Sequence, residues 1–203
     1  MKKIIGLLIG INLVACGGGS DDAAPEVPDN PVTFKVDACY LMSTNLGDIT
    51  LAIDTTNTPI TGNNFKQYVD KGFYDGTLFH RAVNNFVIQG GGYTSGLEPK
   101  DTDAAIKNEA SVGFSNERGT FAMARTAAPD TATSQFFINV LDNPQLDYSA
   151  SSYGYAVFGK VLSGMEVVDQ ISIAPVHNVN GFSDVPVDEV VIESVTEMNC
   201  PAG

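Results

Sequence analysis

Basic residues are scarce in this chain. It carries 11 Lys and Arg against 24 Asp and Glu, for a net charge of −13. At a sequence pI of about 4.3 it has no electrostatic footprint for a phosphate backbone, so no nucleic acid is expected as a partner. The acidity is read as solubility. Cysteines are few, and Cys16, Cys39 and Cys200 lie too far apart for a zinc cluster of the CxxC kind. No GK[ST] follows the glycines at 90–92 and no dinucleotide fingerprint occurs, which removes the common phosphate-binding loops. Asp142 and Asp147 lack the ligand spacing of an EF-hand, so "DNPQLDYS" is read as a turn and no metal is expected. Tryptophan is absent, yet 11 Phe and 7 Tyr within a 43% hydrophobic composition supply a sizeable core. A length of 203 residues fits one domain with extras.

A long apolar run is also missing. The longest, Ile4 to Val14, is too short to span a bilayer comfortably as a helix. It follows Lys2 and Lys3 and precedes Ala15-Cys16, the order of a charged region, an apolar region and a small residue in an export signal. "LVAC" resembles the lipobox of bacterial lipoproteins. That resemblance implies cleavage before Cys16 and acylation of its sulfur and new amino group, with the acyl chains held in a lipid bilayer. Gly17 rather than Asp follows, which by resemblance to Gram-negative lipoprotein sorting favours the outer membrane, facing the periplasm. The expected organisation is a signal peptide at 1–15, a lipidated Cys16 with a flexible tether through residue 32, and a domain at 33–203. The tether, "GGGSDDAAPEVPDNPV", is too polar and too rich in Gly and Pro to order itself. With Cys16 acylated, Cys39 and Cys200 remain near the two ends of the domain. Export permits a disulfide. They bond if the first and last strands are neighbours, and otherwise stay as free thiols.

Short β-prone runs dominate the domain. "CYLMSTNLGDITLAID" reads as a hairpin turning at Asn45-Leu46-Gly47-Asp48. Further strands are expected at Thr77–Val83, Val87–Gly90, Gly119–Ala124, Gln135–Val140 and Ala156–Val161, with "EVVIESVTEMN" closing the set. "TGNNFKQYVDKG" reads as a helix with Thr61 as N-cap and Gly72 as the stop. "SGMEVVDQIS" reads as a second helix, with Ser163 and Glu166 as a capping box. Many short strands, Gly-rich turns and two helices predict a mainly β fold, a closed barrel with helices over its ends. Phe121, Met123, Phe136 and Phe158 belong to its core, and the abundant Phe predicts a filled interior rather than a ligand-storing hollow.

The stretch "FHRAVNNFVIQGGG", 79–92, sets a guanidinium and an amide among apolar residues, an arrangement that calls for a reason. Together with "GTFAMARTAAPDTATSQFFINVLDN" and "YGYAVFGKVLSGMEVVDQI", and more loosely "TNLGDITLAID", it resembles the cyclophilin family of peptidyl-prolyl isomerases over residues 41 to about 175. The resemblance implies an eight-stranded antiparallel barrel capped by two helices. It implies a catalytic role for Arg81 and a substrate-carbonyl donor at Gln89. It places the proline pocket at Phe86, Val87, Phe137 and Leu146. The peptide backbone would lie along Ala124, Arg125 and Thr126, with Gln135 near the neighbouring pocket and Tyr155 at the rim.

The chemistry such residues serve is rotation about an Xaa-Pro amide, whose barrier is about 20 kcal/mol. A protonated donor aimed at the prolyl nitrogen favours the twisted amide over both planar forms, and only such differential binding speeds the reaction. No nucleophile, metal or cofactor is required, and the partners expected are proline-containing polypeptides met by a monomer. Since no proton moves, His80 is read as a hydrogen-bonded structural imidazole. His177 is read as solvated in a loop. Two departures stand out from the family pattern: Gln145 where an aromatic residue is common, and Val87 where methionine is common. They imply weak cyclosporin binding. The alternative function is a chaperone module that holds proline segments with little turnover.

Overall fold

The computed structural model describes residues 32–201. The proposed signal peptide, Cys16 and nearly all of the proposed tether therefore lie outside the described residues. Strands β1 (Ala38–Thr44) and β2 (Gly47–Ile53) form the first hairpin. Helix α1 (Pro59–Asp70) precedes β3 (Thr77–Ala82) and β4 (Val87–Gly90). Two-residue strands β5 (Tyr93–Thr94) and β6 (Glu98–Pro99) pair in a surface loop. Next come β7 (Thr120–Met123), β8 (Phe136–Asn139) and β9 (Val157–Ser163), then helix α2 (Met165–Ser172). A hairpin of β10 (Val176–Val179) and β11 (Phe182–Pro186) leads to β12 (Val191–Met198). Eight of these strands close an antiparallel barrel in the order β1-β12-β3-β4-β8-β7-β9-β2. Closure leaves no barrel edge open to another chain.

The interior is filled with aromatic rings. Phe65 of α1 plugs the barrel, its ring centroid 5.2–6.3 Å from those of Tyr40, Tyr74, Phe121, Phe136 and Phe158. Each fully buried ring contributes about 1.5–3 kcal/mol of transfer free energy. Val167, Val168 and Ile171 of α2 are buried on the same core. Cys39, on β1, pairs in register with Met198 of β12. Its Sγ is bonded to that of Cys200 just beyond, across a Cα separation of 5.1 Å.

Both helix starts differ from expectation. Thr61 is not the N-cap: α1 begins at Pro59, whose fixed φ suits the first helical position. The orphan N–H groups of Ile60 and Thr61 donate instead to the carboxylate of Glu109, at 3.2 and 2.7 Å, and the Thr61 hydroxyl donates to it at 2.7 Å. A carboxylate brought from a distant loop does the work of a local cap. The Ser163–Glu166 capping box does not form either. Ser163 is still paired to Thr50 as the end of β9, and Gly164, at φ 91, turns the chain into α2. Gly72 does stop α1. At φ 60 its N–H donates to Val69 O and that of Phe73 to Tyr68 O, a Schellman closure.

Candidate functional site

Alternation along the strands makes two faces. On β4, Ile88 points into the core while Val87 lies in a second, outer cluster; on β8, Phe136 and Ile138 point in and Phe137 out; on β7, Phe121 and Met123 point in and Ala122 out. That is the period of two of a pleated strand. In β3 the register shifts between Phe79 and Arg81: Phe79 pairs Gly90, and Arg81 pairs Gln89. The bulge resets the alternation at His80, and Arg81 joins the outward row. Across the outer wall the pairs Arg81↔Gln89, Gln89↔Phe137, Phe137↔Ala122 and Ala122↔Val157 then form one continuous line. A cation, an amide and three apolar groups thus lie side by side on adjacent strands.

Above this line is a hollow of about 110 Å³, lined by Arg81, Phe86, Val87, Gln89, Ala124, Arg125, Phe137, Leu146 and Tyr155. All nine are residues singled out from the sequence. The other two lie beside it. Gln135 accepts a hydrogen bond from Gln89 Nε2 at 3.0 Å, which fixes the amide and leaves it a second N–H. Thr126 is exposed beyond the rim, its N–H donating to Thr131 Oγ1 at 3.0 Å.

The rim is held by backbone acceptors. Arg125 lies over the Tyr155 ring, 4.4 Å from its centroid. It donates to the Gly154 carbonyl from Nε and Nη2, at 2.9 and 2.7 Å, and to the Thr126 carbonyl from Nη1 at 2.8 Å. It therefore clamps the segment after Ala124 onto the Tyr155 segment. The Tyr155 N–H in turn donates to Leu146 O at 2.9 Å. Behind the hollow, a Cβ on Gly91, at φ 80, would fall 2.7 Å from the Phe136 ring, and one on Gly92 would fall 2.5 Å from the Gln135 side chain. At Gly91, with aromatic rings behind it, only glycine lets the chain pass so closely. Gln145 points away from the hollow and donates to Asn143 Oδ1 at 3.0 Å.

Arg81 is 32% exposed and meets Asp184 of β11, Nε to Oδ2, at 3.6 Å; that acid is itself 38% exposed, not buried. Asp184 was not singled out from the sequence, because its hairpin was read as loop. The available signal was Asn180-Gly181 between Val179 and Phe182, a dipeptide typical of two-residue hairpins. Its φ values, 51 and 84, are both positive as such a turn requires. His177 is exposed as expected, but within β10 rather than a loop.

His80 also departs from expectation. It is 4% exposed, and Nδ1 makes no hydrogen bond of ordinary geometry. Its ring packs edge-on against Tyr93 and Phe182, at centroid distances of 4.7 and 6.4 Å. Burial pushes its pKa down to about 4, partly opposed by the Leu78 backbone and then aided by the Arg81 charge. The imidazole is held by packing, not by a hydrogen-bond pair. Asp142 and Asp147 serve the adjoining turn: Asp147 accepts from Ser115 Oγ and the Asn116 N–H, both at 2.7 Å, and Asp142 from the Arg118 N–H at 2.8 Å.

The barrel is filled, and its outer wall carries a small apolar hollow flanked by guanidinium and amide. The chain belongs to the cyclophilin type peptidyl-prolyl cis-trans isomerase family, which it matches over residues 39–197, and it is an enzyme of that activity. It is 50% identical to peptidyl-prolyl cis-trans isomerase A of Dickeya dadantii over 154 residues, 76% of this chain and 81% of the relative. It is 49% identical to peptidyl-prolyl cis-trans isomerase B of Escherichia coli over 156 residues, 75% of this chain and 95% of the relative. Among solved structures, a cyclophilin type isomerase of Cryptosporidium parvum, crystallised in the presence of the dipeptide Ala-Pro, superposes with a TM-score of 0.62 at 27% identity. That match covers 80% of this chain and 99% of the other.

Proposed function

We propose that this isomerase acts on Xaa-Pro bonds of exported polypeptides, and that Arg81 lowers the barrier by stabilising the twisted amide. The observation that carries the reading is the row Arg81–Gln89–Phe137, which sets a cation and a directed amide beside an apolar hollow. Phe86, Val87, Phe137 and Leu146 grip the pyrrolidine ring by apolar contact. The second Gln89 N–H meets the carbonyl before the proline, and the Ala124–Thr126 segment lies along the peptide backbone. One half of the substrate is then held while the other turns.

In either planar isomer the prolyl nitrogen shares its lone pair with the carbonyl and is a poor acceptor. In the twisted form conjugation is lost and the lone pair is available. A guanidinium donor beside it gains most at that point, with no reorganisation needed at the moment of reaction. A protease-coupled assay on a proline tetrapeptide, run on wild type and Arg81→Ala, tests the reading. Equal rates would overturn it. If Arg81→Ala abolished turnover yet still suppressed aggregation of an unfolded client as well as wild type, a holding function would stand beside the catalysis.

The same reading places the domain in the envelope of a Gram-negative bacterium, tethered through residues 17–32 to an acylated Cys16 in the outer membrane and working as a monomer. What supports it is the signal-like order of Lys2-Lys3, apolar run and "LVAC". Labelling with radioactive palmitate that persists in Cys16→Ser would refute the anchor, and light scattering showing a dimer would refute the monomer.

A further inference from the structure

The β10–β11 hairpin lies outside the barrel and packs along β3, the strand that bears Arg81. Its pairing is irregular at one place. Val176 faces Pro186 and His177 faces Val185, but the register then shifts before Val179 meets Phe182. Asp184 falls in that irregularity. Its backbone is left-handed, at φ 58, and its N–H donates to Asn178 Oδ1 at 3.2 Å. Bulges of this kind re-aim a side chain, and here the side chain that emerges is the carboxylate facing Arg81 Nε at 3.6 Å.

We infer that Asp184 is a positioning residue for isomerisation: the hairpin carries it to the barrel wall to fix the guanidinium plane of Arg81 against the hollow. Two features separate this from an incidental surface pair. First, the left-handed backbone here suits glycine and asparagine at least as well as aspartate, so the fold alone does not explain an acid at this position. Second, among the described residues the Arg81 side chain forms no other ion pair and no hydrogen bond to the protein. A carboxylate beside Nε biases the side chain by charge while leaving both Nη groups to donate toward a substrate. Without the anchor a long, half-exposed side chain samples several rotamers, few of which point at a prolyl nitrogen.

The inference rests on the proposed role of Arg81, and the test keeps the two apart. Steady-state or NMR-exchange kinetics on a proline tetrapeptide are compared for wild type, Asp184→Gly, Asp184→Asn, Arg81→Ala and Arg81→Ala/Asp184→Gly, with Tm measured for each. Because glycine adopts this backbone freely, Asp184→Gly keeps a Tm within a few degrees of wild type. Its kcat falls about twofold to fivefold, the scale of a partly exposed ion pair, with KM little changed. Asp184→Asn, which keeps an oxygen acceptor, is intermediate. The double variant is no slower than Arg81→Ala alone, since Asp184 acts only through Arg81. Asp184→Gly at the wild-type rate beside a slow Arg81→Ala overturns the inference and spares the role of Arg81. So does a loss in Asp184→Gly that tracks a lowered Tm, or one that adds fully to that of Arg81→Ala. Arg81→Ala at the wild-type rate overturns both.

Discussion

Removing the Cys39–Cys200 bond lowers stability without touching the outer-wall hollow. The bond spans 161 positions of sequence, nearly the whole described chain. The entropy it removes from an unfolded loop of that length amounts to about 5 kcal/mol at room temperature. This is a large share of the 5–15 kcal/mol by which domains are ordinarily stable. The native barrel does not need the bond for its geometry, because β1 and β12 pair from Cys39↔Met198 through to Thr44↔Ile192. The effect therefore sits in the unfolded chain. In urea, Cys39→Ala/Cys200→Ala unfolds at a midpoint lower by about 2 M, with a steeper slope because the unlinked chain exposes more surface. In the barrel order β1 stands opposite β8, so turnover per folded molecule stays at the wild-type value. Coincident midpoints for the two proteins would refute the loop argument. A lost turnover with native circular dichroism would refute the separation of bond and site.

Three further outcomes are expected. His80 has its pKa lowered to about 4 in the folded protein against 6.5 unfolded. The unfolded chain binds the extra proton between those values, so stability is full at pH 7, falls as pH drops through that window, and loses up to about 3 kcal/mol below it. A His80→Gln variant followed by urea titration at pH 7 and pH 4.5 shows a smaller difference; an equal difference would clear His80 of the effect. Gly92→Ala presses a methyl onto the Gln135 side chain and displaces it from Gln89. Isomerisation slows severalfold, while Tm moves by only a few degrees because a flexible side chain yields; an unchanged rate would show that the Gln89–Gln135 bond is dispensable. Cyclosporin binds weakly, since Gln145 is turned to Asn143; a nanomolar complex by calorimetry would contradict this.

Much of the barrel was legible because its strands alternate about a buried face. Phe121, Met123, Phe136 and Ile138 carry the inward period, and their neighbours carry the outward one. The β10–β11 hairpin was not legible by that signal. Three of the four β10 residues are exposed, so no core-facing period marks it, and only the Asn180-Gly181 turn betrays it. Helix starts failed for a different reason. The acceptor for α1 is Glu109, 48 positions after Thr61, and no local pattern reports a cap supplied by tertiary contact. The hollow was legible through motifs, while the bulge at His80 that turns Arg81 outward, and the Asp184 that meets it, exist only once β3 has two neighbours.

The most direct measurement is the cis-trans exchange rate of an Ala-Pro peptide, read by NMR at equal concentrations of wild type and Arg81→Ala. The account predicts a rate lower by about a hundredfold or more in the variant, the scale of removing one preorganised donor from a transition state, with peptide affinity nearly unchanged. Wild-type exchange without the guanidinium would contradict it.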